Sequence, residues 1–303
     1  MLDLTIIILN YQTYELTKNA VNSIIEDNID YDYEIVIVDN NSKDDSLKNL
    51  EKTFKNNNNV RFIKNMENKG FAYGNNQAIK DSNSRYVLLL NSDTIVKKHT
   101  INKCLKYINQ DKEIGALGCK VSLPNGQLDK ACKRSFPNPV NSFYKLFHIP
   151  IKNDKNNYNL EILDDNGIYE IDCLVGAFML VRKETINQIG LLDENYFMYG
   201  EDIDWCYRIK EAGWKIVYYG EAEIIHYKGS SSKKQKSKLI YEFHKSMYVF
   251  YKKHYKKKYN PILNFIVYLG IVVQLMIKLF LNIFKKTWWK MQETYDKIKY
   301  LSK

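Results

Sequence analysis

A chain of 303 residues, 45% hydrophobic and 26% charged, has the composition of a globular protein long enough for one large domain plus an appendage, which excludes a disordered chain, a collagen-like repeat and a small disulfide scaffold. The net charge of +10 is unevenly placed: residues 228–260 hold eleven Lys and one Glu, residues 261–303 hold seven Lys and two acids, and residues 1–227 are left with a net −5. A mildly acidic body with a strongly basic tail takes away the main support for a nucleic-acid-binding reading, and no nucleic-acid partner is expected.

The amino-terminal run Leu2–Leu9 contains Asp3 and has no basic flank, so it does not read as a signal peptide and the body is expected to stay unexported. Short β-branched runs at Leu4–Leu9, Glu34–Val38, Val60–Ile63 and Tyr86–Leu90 are apolar on nearly every position and predict strands buried on both faces. Between them, residues 13–26 place Leu16, Ala20, Val21, Ile24 and Ile25 on one helical face, and residues 45–54 and 71–81 are further helix candidates. This alternation predicts an α/β, Rossmann-like fold: a mostly parallel central sheet with flanking helices. Residues 111–170 carry Pro124, Pro137, Pro139 and Pro150 among Asn and Gly, and read as loops and short strands rather than a separate domain. Beyond them come a strand-like run at Ile171–Val181, helices at Lys183–Ile189 and Glu201–Glu211, and short strands at Ile216–Tyr219 and Ile224–His226. Five scattered cysteines without CxxC spacing argue against a zinc site or redox dithiol and fit a reducing compartment.

Sheets of this kind bind ligands beyond the carboxyl ends of their strands, so the residues found there carry the functional reading. The first strand ends in Asn10 without a GxGxxG, which argues against a dinucleotide dehydrogenase. Asp39 ends the second strand, where a carboxylate accepts bonds from ribose or base, or simply caps a turn. The segment Asn68-Lys69-Gly70 to Asn76 opens a helix with two glycines and reads as an anion-binding start or as a plain turn. The fourth strand ends in Asn91-Ser92-Asp93-Thr94, a polar cluster suited to a hard cation and its diphosphate, or again to a turn. Glu201, Asp202 and Asp204 crowd the start of one helix, whose dipole is expected to keep them ionised. An ionised carboxylate near an acceptor hydroxyl is a general base, although Asp204 is also spaced to pair with Arg208. His226 precedes Gly229 and Ser230–Ser232 and reads as a metal ligand or as a structural histidine.

In order, the blocks IIILNYQT, VDNNSKD, NKGFAYGNNQAI, LLLNSDT, KRSFPNP, GAFMLVRKETINQIGLLDENYFMYGEDIDWCYRIKEAGWKIVY and IIHYKGSSS resemble those of inverting family 2 glycosyltransferases with the GT-A fold, in the rhamnosyltransferase-like branch of bacterial surface-polysaccharide synthesis. The resemblance implies a catalytic domain over residues 1–227. It implies a nucleotide-sugar donor (dTDP-rhamnose or a UDP-hexose) bound by Asn10, Asp39, Asn68, Gly70, Asn91 and Asp93. Asp93 would be the acid of a metal-binding DxD motif whose first position is Asn91, His226 would complete a Mg²⁺ or Mn²⁺ site, Asp202 would be the catalytic base, and Glu201 would contact the acceptor.

The tail, residues 228–303, reads as basic membrane-anchoring helices: an amphipathic helix over 239–255 and a more apolar one over 262–284. In the latter, Asn264, Gln274, Lys278 and Asn282 fall within an arc of about 80° at 100° per residue. With Lys252–Lys258 before it and Lys285, Lys286, Trp288 and Trp289 after it, that stripe favours a helix lying in an anionic membrane interface over one that spans. Such a location at the cytoplasmic face implies a lipid-linked acceptor, a polyprenyl-diphosphate saccharide.

Overall fold

In a computed structural model the described residues are 1–139, 141, 158–228 and 236–301, with side chains described as far as residue 284 except that of Lys236. Pro150, the Gly229–Ser232 loop and the side chains of Lys285, Lys286, Trp288 and Trp289 lie outside them.

The strands are β1 (Leu2–Asn10), β2 (Tyr33–Asp39), β3 (Val60–Lys64), β4 (Ser84–Asn91), β5 (Thr94–Val96), β6 (Ile114–Ser122), β7 (Ile168–Glu170), β8 (Phe178–Arg182) and β9 (Lys215–His226). The helices are α1 (Tyr14–Glu26), α2 (Ser46–Thr53), α3 (Phe71–Asp81), α4 (Thr100–Gln110), α5 (Lys183–Ile189), α6 (Glu201–Glu211), α7 (Lys236–His254) and α8 (Pro261–Leu301). Among the described residues the strands form one sheet in the order β3-β2-β1-β4-β8-β6-β9-β5, with β7 on β9. The parallel ladders β3-β2-β1-β4 and β6-β9 are the long ones, while β8 runs antiparallel between β4 and β6. The expected mostly parallel sheet with flanking helices is therefore present. Leu4, Ile6, Ile7 and Ile8 of β1, Ile35–Val38 of β2 and Val87–Leu89 of β4 form its buried centre, which is why these runs carry almost no polar residue.

Three local readings change. The irregular stretch 111–170 contains the nine-residue β6, whose Gly115 and Gly118 weaken its strand signal. A side chain at Gly115 would meet Trp214, and one at Gly118 would meet Leu174, so close packing keeps both positions bare. The two short strands after Gly213 are a single strand, β9, with a register shift on β6 between Cys119 and Lys120. Of the run Ile171–Val181 only the end is strand, because Ile171 pairs with Ile216 and Cys173 with Arg134 before the chain reaches β4.

The chain divides into two compact units, Met1–Phe197 with Glu201–Ser231, and Met198–Gly200 with Ser232–Lys303. Within the second, α7 and α8 pair as a hairpin. Tyr251 donates to Asn264 Oδ1 at 2.8 Å, Asn264 Nδ2 donates to the Lys256 carbonyl at 3.0 Å, and Asn282 Nδ2 donates to Ser237 Oγ at 2.9 Å. Two members of the polar stripe thus face α7 rather than water. The apolar side of α8, including Phe265, Leu269, Val272, Met276 and Phe280, is exposed, and Pro261–Phe284 is long and apolar enough to cross a membrane.

Candidate active site

Register brings the strand ends together. Asn10 lies opposite Asp39, and Leu9 lies opposite Asn91, so the polar ends of β1, β2 and β4 form one row. Because β8 runs antiparallel to β4, its entrance adjoins the same row: Asn91 N–H donates to the Ala177 carbonyl at 3.1 Å. Because β5 runs antiparallel to β9, His226 lies opposite Thr94, beside Asp93.

At the β1–β2 end, Asp39 is 1% exposed and both its oxygens are engaged. Oδ1 accepts from Asn10 Nδ2 at 2.7 Å and from Ser42 Oγ at 2.6 Å, and Oδ2 accepts from Ser42 N–H at 2.9 Å. Asn10 Oδ1 accepts in turn from Thr13 and Thr17. The pair locks the loop that leaves β2. Next to it, Asn68 Oδ1 accepts from Asn40 Nδ2 at 2.9 Å and from Gly70 N–H at 3.0 Å. Gly70 has φ +103°, and a Cβ there would sit 2.1 Å from the Phe197 carbonyl oxygen. The close approach that this glycine permits is made by the chain itself, and Phe71 N–H donates to the same carbonyl at 2.8 Å.

At the β4 and β9 ends, His226 Nε2 lies 3.1 Å from Asp93 Oδ1 and 3.4 Å from Asn91 Nδ2; Asp93 and His226 are buried and Asn91 partly so. On the other side of the ring, Asp129 Oδ2 lies 3.6 Å from Nδ1. Burial opposes a charged ring, yet Asp129 and Asp93 outweigh it and raise the His226 pKa above the usual imidazole value. For Asp129, burial works upward, but His226, Lys228 and the Ala131 amide outweigh it and hold the carboxyl at about 2. Among the described residues no group of three His, Cys, Asp or Glu side chains is placed to hold a metal by itself. Asp93 and His226 are the two side chains here that could hold a cation, one through a carboxylate and one through an imidazole. That set fits Mg²⁺ or Mn²⁺ shared with substrate phosphates, and does not fit a closed structural site.

The start of α6 completes the row. Asp202 Oδ2 accepts from Arg134 Nη2 at 2.7 Å and from Gly176 N–H at 3.4 Å, while Oδ1 accepts from Ile203 N–H at 2.8 Å. Arg134 Nη2 also donates to the Leu174 carbonyl. The dipeptide Gly176-Ala177 therefore links Asp202 to Asn91 by one hydrogen bond from each residue. The expectation that all three first-turn acids are ionised fails at Glu201. Its side chain is buried with Oε2 unpartnered, and burial, then the Asp202 charge, push its pKa up to about 8. A dipole worth about 0.3–1 kcal/mol does not offset that desolvation. Asp204 pairs with Arg208 at 2.9 Å, and Arg208 also donates to the Ile189 and Leu191 carbonyls, so this acid serves the fold.

Two residues given no role from the sequence belong to the site. Arg134 lies inside the quoted KRSFPNP block, a signal that was available. Asp129 stands alone in an irregular stretch and had none.

A family model described as "Glycosyltransferase like family 2" matches residues 3–239. An N-acetylglucosaminyl-diphospho-decaprenol L-rhamnosyltransferase of Mycobacterium tuberculosis is 42% identical over 77 residues, 25% of each chain. Rhamnosyltransferase WbbL of Escherichia coli is 29% identical over 168 residues, 52% of this chain and 61% of its own length. A crystal structure of GalNAc-T7 with UDP, GalNAc and Mn2+ superposes with a TM-score of 0.61 at 15% identity, over 83% of this chain and 48% of that one. The chain thus spans less than two thirds of the length of each of these proteins, and the structural likeness speaks to the fold, which is GT-A. With the strand ends aligned as that fold requires and a family model running through nearly all of the first unit, the chain belongs to glycosyltransferase-like family 2.

Proposed function

We propose that the protein is an inverting glycosyltransferase that moves a sugar from a nucleotide-diphosphate donor, dTDP-rhamnose or a UDP-hexose, to a hydroxyl of a lipid-linked saccharide at the cytoplasmic face of the membrane. The observation that carries this reading is the Gly176-Ala177 link, which joins Asp202 to Asn91 at the end of β4, where Asp93 meets His226 of β9.

In this reading the acceptor hydroxyl attacks the anomeric carbon from the face opposite the diphosphate. A carbon–oxygen bond forms there as the bond to the phosphate oxygen breaks, and the electron pair leaves with the nucleotide. Asp202 takes the hydroxyl proton, and Arg134 and the Gly176 amide hold its carboxylate in place for that transfer. Glu201, neutral below about pH 8, leaves Asp202 as the charge facing Arg134. A divalent cation bound through Asp93 and His226 would supply neutralisation of the charge that develops on the leaving diphosphate. Asn10, Asp39, Asn68 and Gly70 act by fixing the loops around the nucleotide.

Support for a rhamnosyl donor and a polyprenyl-diphosphate acceptor comes from the mycobacterial relative, which is named for both L-rhamnose and a diphospho-decaprenol. Residues 228–303 then anchor the body, with the exposed side of α8 in the interface and the Lys252–Lys258 group on anionic headgroups, each Lys near the surface adding about 1 kcal/mol. The test is a screen of nucleotide sugars with Mn²⁺ or Mg²⁺, scored by nucleotide release. Asp202→Asn is expected to lose transfer while donor binding survives. Turnover above about a tenth of wild type in that variant refutes Asp202 as the base, since a general base contributes about 10²–10⁴-fold.

A further inference from the structure

The irregular stretch after β6 delivers a buried carboxylate that the transfer mechanism leaves unused. Asp129 N–H donates to the Val121 carbonyl at 2.7 Å, which pins its backbone against β6, and the residue is 2% exposed. Its two oxygens have different surroundings. Oδ1 accepts from Lys228 Nζ at 2.6 Å and from Ala131 N–H at 3.0 Å. Oδ2 has no hydrogen-bond partner among the described residues, and neither has His226 Nδ1, yet these two buried atoms face each other at 3.6 Å. On the far side of the same ring, Nε2 faces Asp93 and Asn91. Two unsatisfied polar atoms opposed in this way are each other's partner once the gap closes by a few tenths of an ångström.

Resting on the transfer reading above, we propose that Asp129 is a positioning residue: its carboxylate accepts a hydrogen bond from the Nδ1–H of His226, fixing the ring's tautomer and tilt so that the Nε2 lone pair is presented beside Asp93 to a divalent cation. An imidazole ligand is oriented by whatever its second nitrogen bonds, and a carboxylate in that place also makes the ring a better donor. The Ala131 amide holds the other carboxylate oxygen and keeps Oδ2 turned to the ring, and Lys228 reaches that same oxygen from a half-exposed position.

Mn²⁺ binding to the full chain, measured by electron paramagnetic resonance without donor, tests this together with ¹⁵N-histidine spectra at alkaline pH, where the ring is neutral. Asp129→Ala is expected to weaken Mn²⁺ by about 10–100-fold, Asp129→Asn, which keeps an acceptor, by less, and Lys228→Met hardly at all. The wild-type His226 should carry its proton on Nδ1 and lose that preference in Asp129→Ala. Should Asp129→Ala fail to fold, the tautomer of the wild type and the affinity of Asp129→Asn still decide. Asp93→Asn weakening Mn²⁺ while Asp129→Ala binds as wild type, or a wild-type proton on Nε2, overturns the role of Asp129 alone. A wild type that binds no Mn²⁺, or an Asp93→Asn variant that binds it unchanged, overturns the metal reading and this inference with it.

Discussion

Glu201→Gln isolates one buried proton. In the folded chain the Glu201 carboxyl titrates near about 8, against an ordinary value of 4.5, with burial the first cause and the neighbouring Asp202 the second. Between those two values the folded state keeps a proton that the unfolded state has released. Folded chains binding more protons lose stability as pH rises, so stability falls from about pH 4.5 and levels off above about pH 8. The slope is about 1.4 kcal/mol per pH unit while the difference is one full proton, or roughly 4 kcal/mol from pH 5 to 8. That is an upper bound, because the side chain can shift toward water as it ionises. Glutamine is isosteric with the protonated acid and does not titrate. Urea unfolding followed by the fluorescence of the buried Trp205, at a series of pH values, should give a steeper fall for wild type than for the variant, with the two differing most at pH 8. Parallel curves would show that Glu201 is ionised in the folded protein, and the division of labour between Glu201 and Asp202 would fall with it.

Removing the guanidinium by Arg134→Met leaves the Asp202 carboxylate and the Leu174 carbonyl without their shared donor, so stability should drop by about 3–5 kcal/mol and nucleotide release should slow. Arg134→Lys keeps the charge without the fork and should fall between. Unfolding curves and turnover measured side by side check both, and a Met variant within about 1 kcal/mol of wild type refutes the pairing. For the tail, membranes carrying the protein should retain it through a high-salt wash and release it at alkaline pH, as an apolar helix in the interface requires. Release by salt alone would mean that the lysines hold it without the exposed side of α8.

The half of the sheet that ends in Asn10, Asp39 and Asn91 was legible because its strands are buried on both faces. A run such as Leu4–Leu9 between Asp3 and Asn10 has few other uses in a chain of this size. The row of polar strand ends followed at once, since Asn10, Asp39 and Asn91 each interrupt an apolar run where its strand stops. The other half was harder to read for a physical reason. In β6 two glycines take the places where Leu174 and Trp214 press against the strand, and β9 changes register on β6 as it passes, so neither shows a clean alternation. The tail shows the same limit. Its polar stripe is visible from spacing, but only the pairing of α7 with α8 reveals that Asn264 meets Tyr251 and Asn282 meets Ser237 of the neighbouring helix.

The first turn of α6 shows most clearly where a local argument stops. Three carboxylates in four residues at a helix start invite a single treatment, since the same dipole acts on each. The fold gives them three fates, of which spacing within the helix accounts for one. Asp204 meets Arg208 and is used to tie α6 to the Ile189 and Leu191 carbonyls. Asp202 meets Arg134, which arrives from 68 residues upstream, and stays an acceptor with its carboxylate fixed. Glu201 meets no cation at hydrogen-bond distance and holds its proton instead. A shift from 4.5 to about 8 corresponds to several kcal/mol, against less than about 1 kcal/mol from the dipole, so burial decides. What makes Asp202 the candidate base is therefore the placement of Arg134 and Gly176 around it, and helix position alone does not distinguish it from its neighbours.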